Sequence, residues 1–318
     1  MSEPAKYLLV SPCRDEAQYM RATLESVRRQ TVAPTLWIVV DDGSTDGTRA
    51  ILDEYERLLP YLRVVRRRDR GRRSVGPGVI QAFYDGYDTI DPRDFDFLCK
   101  LDVDLELPAD YFERLLRRMR ADGRLGTCSG KPYYRERGGQ LVAEVCGDEM
   151  SVGMTKFYRT ACFLEIGGFV AHVMWDGIDC HRCRMLGWSA QSFDDPALRF
   201  VHLRPMGSSQ RGLWTGRWRH GVGQWFMGTS LAFMTASALA RVGRAPLVRG
   251  ALAMWLGYVT SLLARRPRYG DAQFRAFLRD YQRSALLLGK RRAIERLEEA
   301  RVERIVPRDA ALAEAPQR

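Results

Sequence analysis

Residues 35–48 read TLWIVVDDGSTDGT. The run Thr35 to Val40 is apolar and rich in β-branched residues, which predicts a short strand buried on both faces. Asp41-Asp42-Gly43-Ser44 ends it, and Asp46 or Thr45 caps a helix that continues to about Leu59. The same unit repeats on either side. Residues 6–11 (KYLLVS) read as a buried strand, and a helix over 16–30 carries Ala17, Met20, Leu24 and Val27 on one face. Leu62 to Arg66 is a third strand, followed by a helix from Pro77 to Tyr87 with proline near its start. Phe95 to Leu101 is a fourth strand, and Pro108 to Ala121 another helix. Strands alternating with helices across short loops define an α/β fold, a mostly parallel twisted sheet with helices on both faces.

Beyond residue 124 the pattern loosens. Leu125 to Tyr134 and Leu141 to Cys146 read as strands, Thr155 to Ile166 and Asp179 to Leu186 as helices, and Ala197 to His202 as a last strand. Gly221 to Ala240 is free of charge for 20 residues and Gly250 to Ala264 for 15 more; a charged amphipathic helix follows. The expected layout is a catalytic domain over 1–220 with halves 1–105 and 106–220. A helical, basic extension over 221–300 and a disordered tail over 301–318 complete it.

The chain has 318 residues, 46% hydrophobic and 28% charged, which excludes a disordered chain. Its net charge of +11 is uneven. Residues 204–318 carry 21 Lys/Arg against 8 Asp/Glu, while residues 1–203 are close to neutral. An anionic surface is expected to touch the C-terminal part alone. Seven cysteines in no paired framework point to reduced thiols and a cytoplasmic protein, and no signal peptide is read at the N-terminus.

In a parallel sheet, ligands bind at the carboxyl ends of the strands. Those ends carry Ser11-Pro-Cys-Arg-Asp-Glu16, Asp41-Asp42-Gly-Ser-Thr-Asp-Gly47 and Asp102-Val-Asp104. Three acidic strand ends repel one another, and a divalent cation together with hydrogen-bonding sugar hydroxyls would balance them.

With VSPCRDE (10–16), VVDDGSTDGT (39–48) and KLDVD (100–104), the chain resembles the family 2 glycosyltransferases of the GT-A nucleotide-diphospho-sugar fold. Gly167-Gly168-Phe169 and Trp175 to Trp188 extend the likeness, which covers roughly residues 5–225. The resemblance implies a metal-dependent, inverting transfer of a sugar from a nucleotide-diphospho-sugar to an acceptor hydroxyl. The setting it implies is assembly of bacterial-type exopolysaccharide, lipopolysaccharide or another cell-surface glycan. It places Ser11, Pro12, Arg14, Glu16, Asp41 and Asp42 at the nucleotide, with Asp15 standing where relatives have Asn. Arg72 falls beside the diphosphate, Lys100 and Asp102 at the ribose or sugar, and Asp104 on Mg²⁺ or Mn²⁺. His202 is a further metal or phosphate contact.

For the general base, relatives carry a Gly-Glu-Asp-x-Asp string where this chain has Trp175-Asp176-Gly177-Ile178-Asp179. Asp176 is the first candidate and Asp179 the second; Asp179 also reads as an N-cap for the helix to Leu186. Trp214-Thr-Gly-Arg217-Trp218 matches the Gln-x-x-Arg-Trp string of processive synthases only in part, so a single-transfer enzyme is expected.

The partners expected are the sugar nucleotide, a glycan or lipid-linked acceptor and an anionic membrane surface, with no nucleic acid. The location expected is peripheral, on the inner face of the cell membrane. Rival readings are a nucleotidyltransferase, a sugar-binding relative without activity, and a nucleic-acid binder using the basic C-terminal part.

Overall fold

A computed structural model describes residues 5–71, 74, 76–136, 138–204, 213–243 and 247–299. The chain opens as the sequence predicts: β1 (Tyr7–Cys13), α1 (Met20–Arg28), β2 (Leu36–Asp41), α2 (Thr48–Leu58), β3 (Leu62–Arg66), α3 (Pro77–Tyr87) and β4 (Phe97–Leu101). Then come β5 (Leu105–Glu106), α4 (Tyr111–Ala121), β6 (Leu125–Ser129), β7 (Lys131–Arg135), β8 (Leu141–Ala143), β9 (Thr155–Arg159) and α5 (Thr160–Glu165). The α/β part closes with α6 (Trp175–Met185), β10 (Ser189–Ser192) and β11 (Arg199–His202).

Seven strands form the central sheet in the order β10-β6-β9-β4-β1-β2-β3. All its pairings are parallel except those of β9, which runs antiparallel to both β4 and β6. A smaller sheet, β5-β11-β7-β8, stands beside it. Alternation along β1 sends Tyr7 and Leu9 to one face and Leu8 and Val10 to the other. The first face is covered by α1, α2 and α4, the second by α3, α5 and α6.

Three readings need correction. Thr155–Arg159 is a strand, and only the short α5 after it is helical. Lys156 interrupts the apolar pattern because it is buried in an ion pair, which spacing does not reveal. The run 125–134 is two strands in two sheets, broken at Gly130, where a Cβ would fall on the Leu198 carbonyl. The helix read from Asp179 begins four residues earlier, so Asp179 lies inside α6 and caps nothing.

The C-terminal part is helical: α7 (Leu213–Met227), α8 (Leu231–Leu239), α9 (Leu247–Leu263), α10 (Ala272–Leu288) and α11 (Lys290–Glu299). Gly221 and Gly257 let α7 and α9 approach backbone to backbone, since a Cβ on either would meet a carbonyl of the other helix. Phe274, Leu278 and Tyr281 of α10 pack with Ile178 of α6, which fixes these helices to the α/β part. The expected tail over 301–318 lies outside the described residues.

Candidate active site

The carboxyl ends of β1, β2 and β4 open on one cavity of about 570 Å³. From the strand ends it is lined by Pro12, Arg14, Glu16, Asp42, Lys100, Asp102 and Asp104. His202 and Arg204 close one side, and Trp175, Asp176 and Gly177 at the start of α6 face it. Gly216, Arg219 and His220 of α7, with Arg241 beyond α8, form the remaining wall.

The ends of β1 and β2 are built from interlocked turns. Gly43 holds a left-handed backbone, φ 73°, with the backbone of Asp69 against it, so no side chain fits there. Asp15 is also left-handed, φ 51°, a conformation that Asp and Asn tolerate. Its carboxylate accepts from the Thr45 backbone N–H at 2.8 Å and ties the first strand end to the second.

Asp41 is fully buried. It accepts from Ser44 N–H at 2.8 Å and pairs with Arg49 at 3.1 Å, so its side chain shapes the turn. Asp42 does line the cavity, where Arg67, at 2.7 Å, and Arg70 hold it. Arg14 donates to the Asp42 carbonyl at 2.8 Å and pairs with Asp69 at 2.6 Å. Ser11 faces away from the cavity and accepts from the Trp37 indole N–H at 2.9 Å. Arg72 lies outside the described residues.

Asp102 and Asp104 sit in different fields. Lys100 pairs with Asp102, and its ammonium also donates to the Gly153 carbonyl at 3.0 Å. Asp104 Oδ2 meets Arg204 Nε at 2.6 Å and His202 Nε2 at 3.5 Å. Burial alone would raise the Asp104 carboxyl; His202 and Arg204 outweigh it and hold it below the ordinary carboxylate range. Burial also opposes a charge on His202, but Asp104 and Glu144, the latter at 2.8 Å, lift its imidazole to about 9.

Arg204 was not singled out in the sequence. It bridges Asp104 to Glu16 at 2.7 Å and thereby joins two of the acidic strand ends. Its place two residues after His202, on the same side of an extended chain, was the available signal.

Among the described residues no three His, Cys, Asp or Glu groups gather into a metal cage. Asp104 Oδ1 is nevertheless buried without a hydrogen-bond partner among them. A free carboxylate oxygen suits Mg²⁺ or Mn²⁺, ions that bind through one or two protein groups and complete their shell with substrate phosphates and water; His202, whose ring nitrogens face Glu144 and Asp104, would have to give up a proton to join it.

The two base candidates separate clearly. Asp176 is half-buried at the cavity wall. Asp179 is buried beneath the wall: Lys156 Nζ donates to it at 2.6 Å, and the Tyr158 hydroxyl donates to it as well. Lys156 also donates to the Asp176 carbonyl at 2.9 Å, so the buried pair anchors the segment that presents Asp176. Burial raises the Asp179 carboxyl against the opposing pull of Lys156. Ahead of this segment Met174 holds a left-handed backbone, φ 71°. Gly223 of α7 lies directly against the Val173 and Met174 side chains.

Residues 9–144 match the family described as Glycosyl transferase family 2. EpsH of Bacillus subtilis (strain 168), which carries the name of a glycosyltransferase, is 28% identical over 145 residues; the match covers 46% of this chain and 39% of that protein. The chain thus spans about two fifths of that relative. The mannosyltransferase PcManGT from Pyrobaculum calidifontis, solved with GDP-Man and Mn²⁺, is similar with a TM-score of 0.53 at 17% identity, over 96% of this chain and 89% of that one. TarS residues 1–349 from S. aureus is similar with a TM-score of 0.51 at 15% identity, over 95% and 93%. At these identities the likeness is one of fold.

Proposed function

We propose that this chain, which carries a family 2 glycosyl transferase domain over residues 9–144, moves a sugar from a nucleotide-diphospho-sugar to an acceptor hydroxyl with inversion. The observation that carries this reading is the pairing of Asp104, one oxygen without a partner among the described residues, with Asp176 on walls of the same cavity. In this reading Pro12, Arg14, Glu16 and Asp42 hold the nucleoside, while Lys100 fixes Asp102 toward the ribose or sugar. Asp104 would hold a divalent cation, joined by His202 once its ring gives up a proton, and the cation would neutralise the leaving diphosphate.

Asp176 takes the proton of the acceptor hydroxyl as its oxygen bonds to the anomeric carbon from the face opposite the phosphate. The carbon–oxygen bond to the diphosphate breaks with its electron pair, and a nucleoside diphosphate leaves. Trp175, Arg219 and His220 line the acceptor side. A glycan or lipid-linked acceptor in cell-surface glycan assembly fits this reading, with the enzyme peripheral on the inner face of the membrane.

The test is release of nucleoside diphosphate across a panel of UDP-, GDP- and dTDP-sugars. Turnover of one donor supports the reading. Absence of binding and release with every donor opposes it.

A further inference from the structure

Residues 196–270 contain eleven Arg and neither Asp nor Glu, and the transfer chemistry uses few of these cations. Within this stretch α9 is apolar on two sides. Its inner face, Gly250, Ala253, Met254, Gly257 and Tyr258, is buried. Val248, Leu252, Leu256 and Leu263 recur at helical spacing on another face, while Val259 packs inward with Trp225 and Tyr258. Along that stripe Val248 is 58% exposed, Leu252 46% and Leu263 75%, and Leu239 at the end of α8 is 67% exposed.

Cations frame the stripe. Arg265 and Arg266 are exposed just past its end, where Arg268 stacks on the Trp225 ring at 3.7 Å, and Arg249 is exposed in its first turn, where the helix dipole disfavours a cation. An apolar stripe framed by unopposed positive charge calls for a partner that is apolar within and anionic at its surface. A second copy of the same face would set arginine against arginine. At about 1.5 Å per residue, 17 residues reach about 26 Å, short of a bilayer core. Among the described residues no helix is long and apolar enough to cross a membrane.

We infer that the outward face of α9, with the end of α8, lies in the interfacial layer of an anionic phospholipid membrane. The leucines enter the acyl boundary, and the flanking arginines meet lipid phosphates. Arg241 follows α8 and also lines the cavity, so docking sets the acceptor wall at the lipid surface. That consequence rests on the transferase reading; the docking itself does not.

The experiment is flotation of the full chain with phosphatidylcholine vesicles, with and without phosphatidylglycerol, at low and high salt. Leu252→Glu/Leu263→Glu and Arg265→Gln/Arg266→Gln variants run alongside, each checked by thermal melting and nucleoside-diphosphate binding. The expected result is flotation that needs phosphatidylglycerol and weakens with salt. It should fall about tenfold or more in the leucine variant and severalfold in the arginine variant, with melting and nucleotide binding unchanged.

Equal flotation with both vesicles, no flotation with either, or a leucine variant that floats like the parent overturns the inference. So does a dimer that the leucine variant dissociates while lipid binding is absent. Flotation retained in a protein that binds no sugar nucleotide would overturn the transferase reading alone. Turnover without flotation would overturn docking alone.

Discussion

Replacing Asp179 by Asn should damage the fold, and replacing Asp176 by Asn should damage the chemistry. Lys156 and Asp179 are both buried, and the ammonium donates to the carboxylate at 2.6 Å. Burial would lower the Lys156 ammonium, but Asp179 and its neighbours hold it above its ordinary value. Asp179→Asn keeps the shape but removes the counter-charge, leaving Lys156 with the Asp176 carbonyl at 2.9 Å and the Cys180 thiol at 3.2 Å. Leaving a buried charge without its partner costs about 3–5 kcal/mol. At about 2–4 °C per kcal/mol that lowers the melting temperature on the order of 6–20 °C. Asp176 is half-buried, so Asp176→Asn strands no charge and should shift stability by no more than about 0.5 kcal/mol. Transfer should slow by about 10²–10⁴-fold with donor binding kept. Calorimetric melting and nucleoside-diphosphate release on both variants read the two effects. An Asp179→Asn protein that melts like the parent and has lost transfer, beside an active Asp176→Asn protein, would refute the assignment.

Three further outcomes are expected. His202 is held at about 9, above its ordinary 6.5, so in metal-free protein its contribution to stability is complete below about pH 6.5 and is lost as pH rises through 9. Urea midpoints should show that dependence, on the order of 3 kcal/mol, in the parent, and His202→Gln should flatten it; parallel curves would remove the His202 contribution. Gly223→Val should crowd Val173 and Met174, cost about 1–3 kcal/mol and lower kcat more than it raises the donor KM. Unchanged kcat would mean that α7 does not position the Asp176 segment. Under the proposed inverting transfer an α-linked donor should give a β-linked product by NMR, and a retained linkage would exclude single displacement.

The sequence was most legible where each strand is a continuous apolar run and each loop carries turn chemistry, as from Tyr7 to Leu101. It was least legible where charged side chains are buried. Lys156 disguised β9 as part of a helix because its partner, Asp179, lies 23 residues away. β10 has the sequence SAQS, with Ala190 its one apolar residue, and at the sheet edge it needs no apolar run. For the site, the spacing of Pro12, Glu16, Asp42, Asp102 and Asp104 announced one cavity. Ser11 and Asp41 were indistinguishable from them, because the partners that take them up, Trp37 for Ser11 and Ser44 with Arg49 for Asp41, are set by packing. The wall supplied by Arg219, His220 and Arg241 was hidden, since only helix packing through Gly221 and Gly257 brings it there.

The most direct test of the central claim is calorimetric titration of UDP, GDP and dTDP into the full chain with MnCl₂, with EDTA, and with Asp104→Asn. One nucleoside diphosphate should bind saturably with Mn²⁺ and lose most of its affinity in EDTA and in Asp104→Asn. Failure of all three to bind, or binding that is equal with Mn²⁺, with EDTA and in the variant, would contradict the account.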